Sequence, residues 1–228
     1  MPRNASAPPR AYLSWSSGKD SAFSLYEARR LGLADVMGVL TTYNEAYDRV
    51  AMHGVRLELL DRQIAALGLP ALKIALPNPC PNEVYEARMK DACAVIKGEG
   101  IEHVVFGDLF LEDIRAYREE KLAAVGMRAL FPLWLRNTAD LARAMIASGM
   151  VAHITCLDPK KLDRRFAGRR FDESLLAELP SGVDPCGENG EFHTVVTAGP
   201  MFRAPIAVKV GETVEREGFV FTDVIPVN

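Results

Sequence analysis

Short apolar runs alternate with stretches of helical spacing through the first two-thirds of the chain. No other feature limits the available folds as much. Ala11–Trp15 is followed by an amphipathic stretch, Asp20–Leu31, and Val36–Thr42 by Val55–Leu67, closed by Gly68 and Pro70. Leu72–Leu76 leads through a Pro-rich turn, PNPCPN, to Glu83–Ile96, which stops at Lys97–Gly98 as a helix C-terminus does. His103–Phe106, Leu111–Val125, Ala129–Phe131, Thr138–Ser148 and Val151–Cys156 continue the series. Short apolar strands joined by helices, with uncharged runs such as VVF among them, predict a parallel sheet covered on both faces, an α/β doubly wound fold. Ligands of such sheets bind beyond the carboxyl ends of the strands, so the chemistry is expected in the loops that follow them.

The pattern changes near Asp158. KKLDRRFAGRRFDESLLAELP is basic and then helical, PCGENGEFHT is Gly-rich, and three β-leaning runs follow: Thr194–Ala198, Ile206–Val210 and Phe219–Val224. The expected division is a disordered lead-in over 1–10, a nucleotide-binding domain over 11–157, and a smaller C-terminal α+β lobe over 158–228 that takes the substrate or acceptor. With 228 residues and a formal net charge of −3, the chain has no basic excess, so binding to nucleic acid is not expected. Its four cysteines, Cys80, Cys93, Cys156 and Cys186, form no C-x-x-C, which leaves out zinc-ribbon and iron–sulfur ligand sets. Cys93 and Cys156 sit in apolar runs and read as small core residues. No apolar run approaches the roughly 18 residues of a membrane span, and MPRNASAPPR lacks the apolar centre of a signal peptide. A cytoplasmic protein with no membrane contact is expected. A homodimer is compatible with the sequence but not decided by it.

The sharpest local signal is Ser14-Trp15-Ser16-Ser17-Gly18-Lys19-Asp20-Ser21, a strand that ends in a hydroxyl-rich turn and opens a helix. Backbone N–H groups free at a helix start favour an anion, by about 0.3–1 kcal/mol through the macrodipole. Ser16, Ser17 and Ser21 add donors, Gly18 permits close approach, and Lys19 can add a point charge. Asp20 would be repelled by phosphate and is expected to cap the helix or to hold Mg²⁺. A plain Ser/Asp cap explains such a stretch as often as a phosphate loop does; its place after the first strand tips the balance. Walker A is excluded because Leu13 stands where its first glycine belongs, and G-x-G is absent.

This loop resembles the SGGxDS loop of the PP-loop ATP pyrophosphatases, with Ser17 in place of the first glycine. VFGDLFLEDIRAYREE, the following FPLW and the late CGENGEFHT narrow the resemblance to the diphthine–ammonia ligase family, from Leu13 to about Pro226. The resemblance implies an adenine nucleotide alpha hydrolase-like fold and cleavage of ATP to AMP and pyrophosphate. It also implies adenylation of a carboxylate and transfer of ammonia to it. ATP, Mg²⁺ and ammonium are then the expected small-molecule partners. The carboxylate acceptor is unidentified, and a group carried on a protein is among the candidates. Where the family tends to have E-T, this chain reads His193-Thr194, which puts the acceptor's identity in question.

Further candidates follow from position. Gly107-Asp108 closes the fourth strand; a strand-end turn explains it, while the resemblance implies the nucleotide pocket. Thr41 and Thr42 end the second strand, where this type of fold meets adenosine, although β-propensity alone would place threonines there. His53, before a helix, is more often a cap or surface residue than a contact, and is kept with Gly187, Asn189 and His193 as a substrate-side candidate. Glu188 and Glu191 flank Asn189-Gly190 and can serve the acceptor, Mg²⁺ or an incoming amine. Of the basic run from Lys160 to Arg170, ordinarily a solvated face, Arg165 or Arg169 is expected to neutralise the leaving pyrophosphate. Lys19, Asp20, Glu188 and Glu191 are the expected catalytic set, and Asp20→Ala is expected to abolish activity with the fold intact. Two rivals are a tRNA-modifying PP-loop enzyme and a non-catalytic adenine-nucleotide-binding protein.

Overall fold

The computed structural model describes residues 7–50 and 52–227. Of the expected lead-in, residues 1–6 lie outside the described residues, and Arg10 already belongs to the first strand, paired with Asp35. The strands β1 (Arg10–Ser14), β2 (Asp35–Asn44), β3 (Ala71–Leu76), β4 (His103–Val105) and β5 (Arg128–Leu130) form one parallel sheet in the order β3-β2-β1-β4-β5. Parallel neighbours need crossover connections. These are α1 (Lys19–Arg30), α2 (Leu57–Leu67), α3 (Asn82–Gly98) and α4 (Glu112–Ala123).

The two-residue period of the strands divides the core into two clusters. Leu13, Val39 and Val105 pack with Ala22, Phe23, Leu59 and Leu60 of α1 and α2. Their chain neighbours Tyr12, Leu40 and Val104 pack with Ala92, Cys93 and Ile96 of α3 and Leu122 of α4. Helices therefore cover both faces, as the predominantly apolar strands predict. The chain builds outward from β1 to β3, then crosses back to β4, so the winding reverses between β1 and β4. That reversal leaves a crevice at the carboxyl ends of those two strands.

The rest of the chain comprises α5 (Thr138–Ala147), β6 (Val151–Leu157), a 3₁₀ turn at Arg164–Phe166, α6 (Glu173–Glu178), β7 (Phe192–Ala198), β8 (Val208–Arg216) and β9 (Phe219–Pro226). Here the four strands form an antiparallel sheet in the order β7-β6-β9-β8. The expectation that Val151–Cys156 extends the parallel series is thus corrected. A buried apolar run specifies a strand but not the sheet it joins, and β6 pairs antiparallel with β7 and β9. The change of sheet comes one strand before the change of composition at Asp158. Ile154, Val195, Val196 and Val220 share a continuous core with Leu13, Trp15 and Phe23, so the second sheet is packed directly behind the β1–α1 loop. Among the described residues no helix is long and apolar enough to cross a membrane.

Candidate active site

Chain and sheet meet at the β1–α1 loop. Val196 of β7 donates its backbone N–H to Ser17 O at 2.9 Å. Gln63, fully buried, donates to Ser17 O at 3.1 Å and to Val196 O at 2.7 Å while accepting from Trp15 Nε1 at 3.2 Å. A neutral amide with every partner supplied clamps the loop onto the second sheet without burying a charge.

Ser17 sits at φ +70°, in the left-handed region, and its buried hydroxyl has no hydrogen-bond partner. This gives a physical reason for the glycine in the motif that the loop resembles. Ser17→Gly is expected to stabilise the protein by about 1 kcal/mol, by relieving the backbone and removing an unpaired hydroxyl. A urea midpoint at or below that of the wild type would contradict this. Ser16 and Ser21 join the loop to the helix: their hydroxyls lie 3.1 Å apart, and Ser21 Oγ donates to Gly18 O at 3.0 Å. Gly18 itself is the N-cap and α1 has no side-chain cap, which corrects the capping role expected of Asp20.

Lys19 is only 2% exposed. Its ammonium donates to both carboxylate oxygens of Asp20, at 3.0 and 2.8 Å, and to the Cys186 carbonyl, and it lies 5.4 Å from the centre of the Phe192 ring. Burial works against that charge, but Asp20 and its other neighbours outweigh it and hold Lys19 above the ordinary lysine value. For Asp20 burial wins over Lys19, and its pKa is raised.

These residues form one wall of a cavity of about 240 Å³ at the β1–β4 crevice. Gly107 approaches α1 so closely that a Cβ there would lie 2.8 Å from Ser21 N, so the β4 lip rests against the helix's first turn. Asp108, on the same lip, faces Arg118 of α4, and Arg118 stacks 4.5 Å from the centre of the Phe106 ring. The opposite wall is the 184–194 turn. Glu188 lines the cavity and accepts from Leu109 N at 2.7 Å. Burial, supported by the Asp20 and Asp108 charges, pushes its carboxyl up to about 7, against the pull of the Leu109 bond and Lys19.

His53 and His193 complete the floor, with ring centres 4.9 Å apart. His53 Nδ1 lies 3.0 Å from Thr194 O; a carbonyl only accepts, so Nδ1 carries the proton. A Cβ on Gly18 would lie 2.7 Å from His53 Cε1, so this ring covers the loop rather than capping a helix or facing solvent. Burial lowers the pKa of His53 to about 4 and that of His193 to about 3, and the Lys19 charge adds to both shifts. Both rings are neutral acceptor-bearing surfaces at ordinary pH.

Several expected residues stand elsewhere. Glu191 is buried, but it closes its own turn, accepting from Asp184 N at 3.0 Å and Asn189 Nδ2 at 3.3 Å. Asn189 is exposed, while Gly187 lines the cavity at φ +70°. Thr41 and Thr42 pair with Lys73 and Ile74 of β3, because β2 runs on to Asn44, and neither lines the cavity. Arg169 is held by Glu178 at 2.7 Å and Arg165 lies over Phe166; neither reaches the cavity. The cation there is instead Arg118, whose only signal in the sequence was its place within VFGDLFLEDIRAYREE. Gln63 carried no signal, being one polar residue on an amphipathic helix.

The order of these parts along the chain matches a known family. Residues 10–129 match the model described as the diphthamide synthase N-terminal domain, and residues 137–224 the diphthamide synthase C-terminal domain. The chain belongs to the diphthamide synthase family. Diphthine–ammonia ligase of Bos taurus is 31% identical over 230 residues, covering 92% of this chain and 86% of that protein. The Homo sapiens enzyme of the same name is 26% identical over 232 residues, with the same coverage of 92% and 86%. That of Rattus norvegicus is 35% identical over 133 residues, covering 55% of this chain and 49% of that protein. The family membership expected from the loop and the two later motifs is therefore established, and residues from all three line the cavity.

Proposed function

We propose that the protein is an ATP-dependent carboxylate–ammonia ligase. The acceptor carboxylate attacks the α-phosphorus of ATP, the bond to the bridging oxygen breaks, and pyrophosphate leaves. Ammonia then attacks the acyl carbon, AMP departs, and the nitrogen's extra proton passes to a base, giving the amide. The observation that carries this reading is the shared cavity: the start of α1, with Ser16 and Ser21, faces a carboxyl group poised near neutrality, Glu188. The first suits phosphate and the second suits proton transfer from a nitrogen nucleophile. Ser16 and Ser21 hold the phosphates, while Ser17 and Gly18, expected there too, do not line the cavity and shape the loop behind it; Asp108 serves the nucleotide, and His193 with Gly187 borders the acceptor. The diphthine named for the relatives is the first acceptor to try.

Among the described residues no three His, Cys, Asp or Glu side chains are arranged to hold a metal by themselves. Magnesium in nucleotide sites commonly takes one or two carboxylates together with phosphate oxygens, and Asp20, by sharing the oxygens it now gives to Lys19, would supply one such donor in this cavity. Bound there with ATP, it would neutralise phosphate charge. A thiolating role has little support: Cys186, beside the cavity, is buried with its thiol pushed far above the usual range, the reverse of an activated nucleophile. Exchange of labelled pyrophosphate into ATP, in the presence of a diphthine-bearing acceptor and without ammonium, tests the adenylate. Label is expected in ATP; amide formation without exchange would refute a reversible adenylation.

A further inference from the structure

Among the described residues, Arg118 is the cation lining the cavity that keeps a donor, Nη1, without a protein partner. Lys19, the other, gives its ammonium to Asp20 and the Cys186 carbonyl and is enclosed by Phe171 and Phe192. Arg118 makes one aligned bond to Asp108, from Nη2 to Oδ1 at 3.1 Å. Its Nε lies 2.8 Å from Asp108 Oδ2, so both carboxylate oxygens are met, and Nη1 is left with no hydrogen-bond partner among the described residues. A guanidinium normally meets a carboxylate through two parallel bonds. Here Nε and Nη2 make that pair with Asp108, which leaves Nη1 at the cavity as a donor for an anion.

The position of this fork indicates what it takes. Arg118 is held by Phe106 and Asp108, the residues on either side of Gly107, and Gly107 rests against the Asp20–Ser21 backbone of α1. Arg118 is therefore at the phosphate end of the crevice, on the lip opposite the β1–α1 loop. Three carboxyl groups line that cavity, those of Asp20, Asp108 and Glu188, so a polyanion leaving there needs every free cation available.

Building on the ligase reading, we infer that Arg118 is the pyrophosphate-binding residue of this site, taking the role expected of Arg165 or Arg169. Its Nη1 donates to oxygens of the leaving group while the start of α1 holds others. Asp108 fixes the guanidinium over Phe106 and so positions it.

The test is calorimetric titration of the full chain with pyrophosphate and magnesium. Arg118→Ala is expected to weaken binding by about tenfold to a hundredfold, the loss of one or two charge-assisted bonds. Arg118→Lys, which keeps the charge and a partner for Asp108, is expected to recover only part of that, and Arg169→Ala to bind as the wild type does. Affinity within twofold of wild type in Arg118→Ala, with an unchanged melting temperature, would overturn the assignment. Should Arg118→Ala fail to fold, Arg118→Lys carries the test, and equal affinity in it overturns the assignment. Wild-type turnover to ADP and phosphate would instead defeat the adenylation reading, while the pyrophosphate titration would still report on Arg118.

Discussion

Replacing Asp20 by alanine is expected to cost about 3–5 kcal/mol of stability as well as activity, because it leaves a buried ammonium without its counter-ion. Lys19 is 2% exposed and has only the Cys186 carbonyl and two aromatic rings as other close partners. This revises the expectation that the fold would survive the change untouched: from the sequence Asp20 was a helix cap or a magnesium ligand, and its pairing with its own neighbour was not readable. Urea unfolding of three variants separates the effects. Asp20→Ala should show the large loss, and Asp20→Asn a smaller one because its amide oxygen still accepts. The double variant Lys19→Met/Asp20→Ala should lie closer to wild type than Asp20→Ala, since no unpaired charge remains. An Asp20→Ala midpoint equal to that of the wild type would show that water reaches the ammonium and that the pair contributes nothing to the fold.

Glu188→Gln should divide the pH behaviour of stability from that of activity. The Glu188 carboxyl is raised to about 7 in the folded protein, above the ordinary glutamate range, chiefly by burial. Folding therefore favours its protonated form. The cost of ionising it is absent below the unfolded value, grows as pH rises towards 7, and is complete above it. A glutamine never ionises, so Glu188→Gln should match the wild-type melting temperature near pH 4 and exceed it by a few degrees, roughly 2–6 °C, near pH 8. Activity should move the other way. If ionised Glu188 accepts the proton from the nitrogen nucleophile, kcat for amide formation should fall about 10²–10⁴-fold, and the acidic limb near pH 7 should disappear. A variant with wild-type kcat and an unchanged limb would remove Glu188 from the chemistry and leave it as a ligand of Leu109 N.

The sheet was legible because its strands are predominantly apolar and glycine punctuates the helix ends. Asp35–Asn44 and Ala71–Leu76 fall within two residues of the runs read from sequence. The place of Val151–Leu157 was not legible, since apolar content marks burial and says nothing of the partner strand. In the site, the β1–α1 loop and the 184–194 turn carried enough glycine and polar spacing to be singled out. Glu188 and Glu191 looked equivalent, and only the fold turns one into the cavity and the other into its own loop. Basic residues misled for a related reason. Arg165 and Arg169 stand in a conspicuous run, as solvated charges often do, whereas Arg118 sits unmarked in a helix rich in both signs and reaches the cavity by stacking on Phe106. His53 was kept only as a weak candidate because the contact that gives it meaning, Thr194 O, lies 141 residues away.

The central claim is that ATP is cleaved at its α-phosphorus in the crevice between β1 and β4. The most direct measurement is product analysis of ATP incubated with the protein, magnesium, ammonium and a diphthine-bearing acceptor or cell extract, by ion-exchange separation of the nucleotides. AMP and pyrophosphate in equal amounts, formed only when an acceptor is present, are the predicted result. ADP with phosphate, or bound ATP that stays intact with every acceptor tried, would contradict the account and favour a nucleotide-binding protein without ligase chemistry.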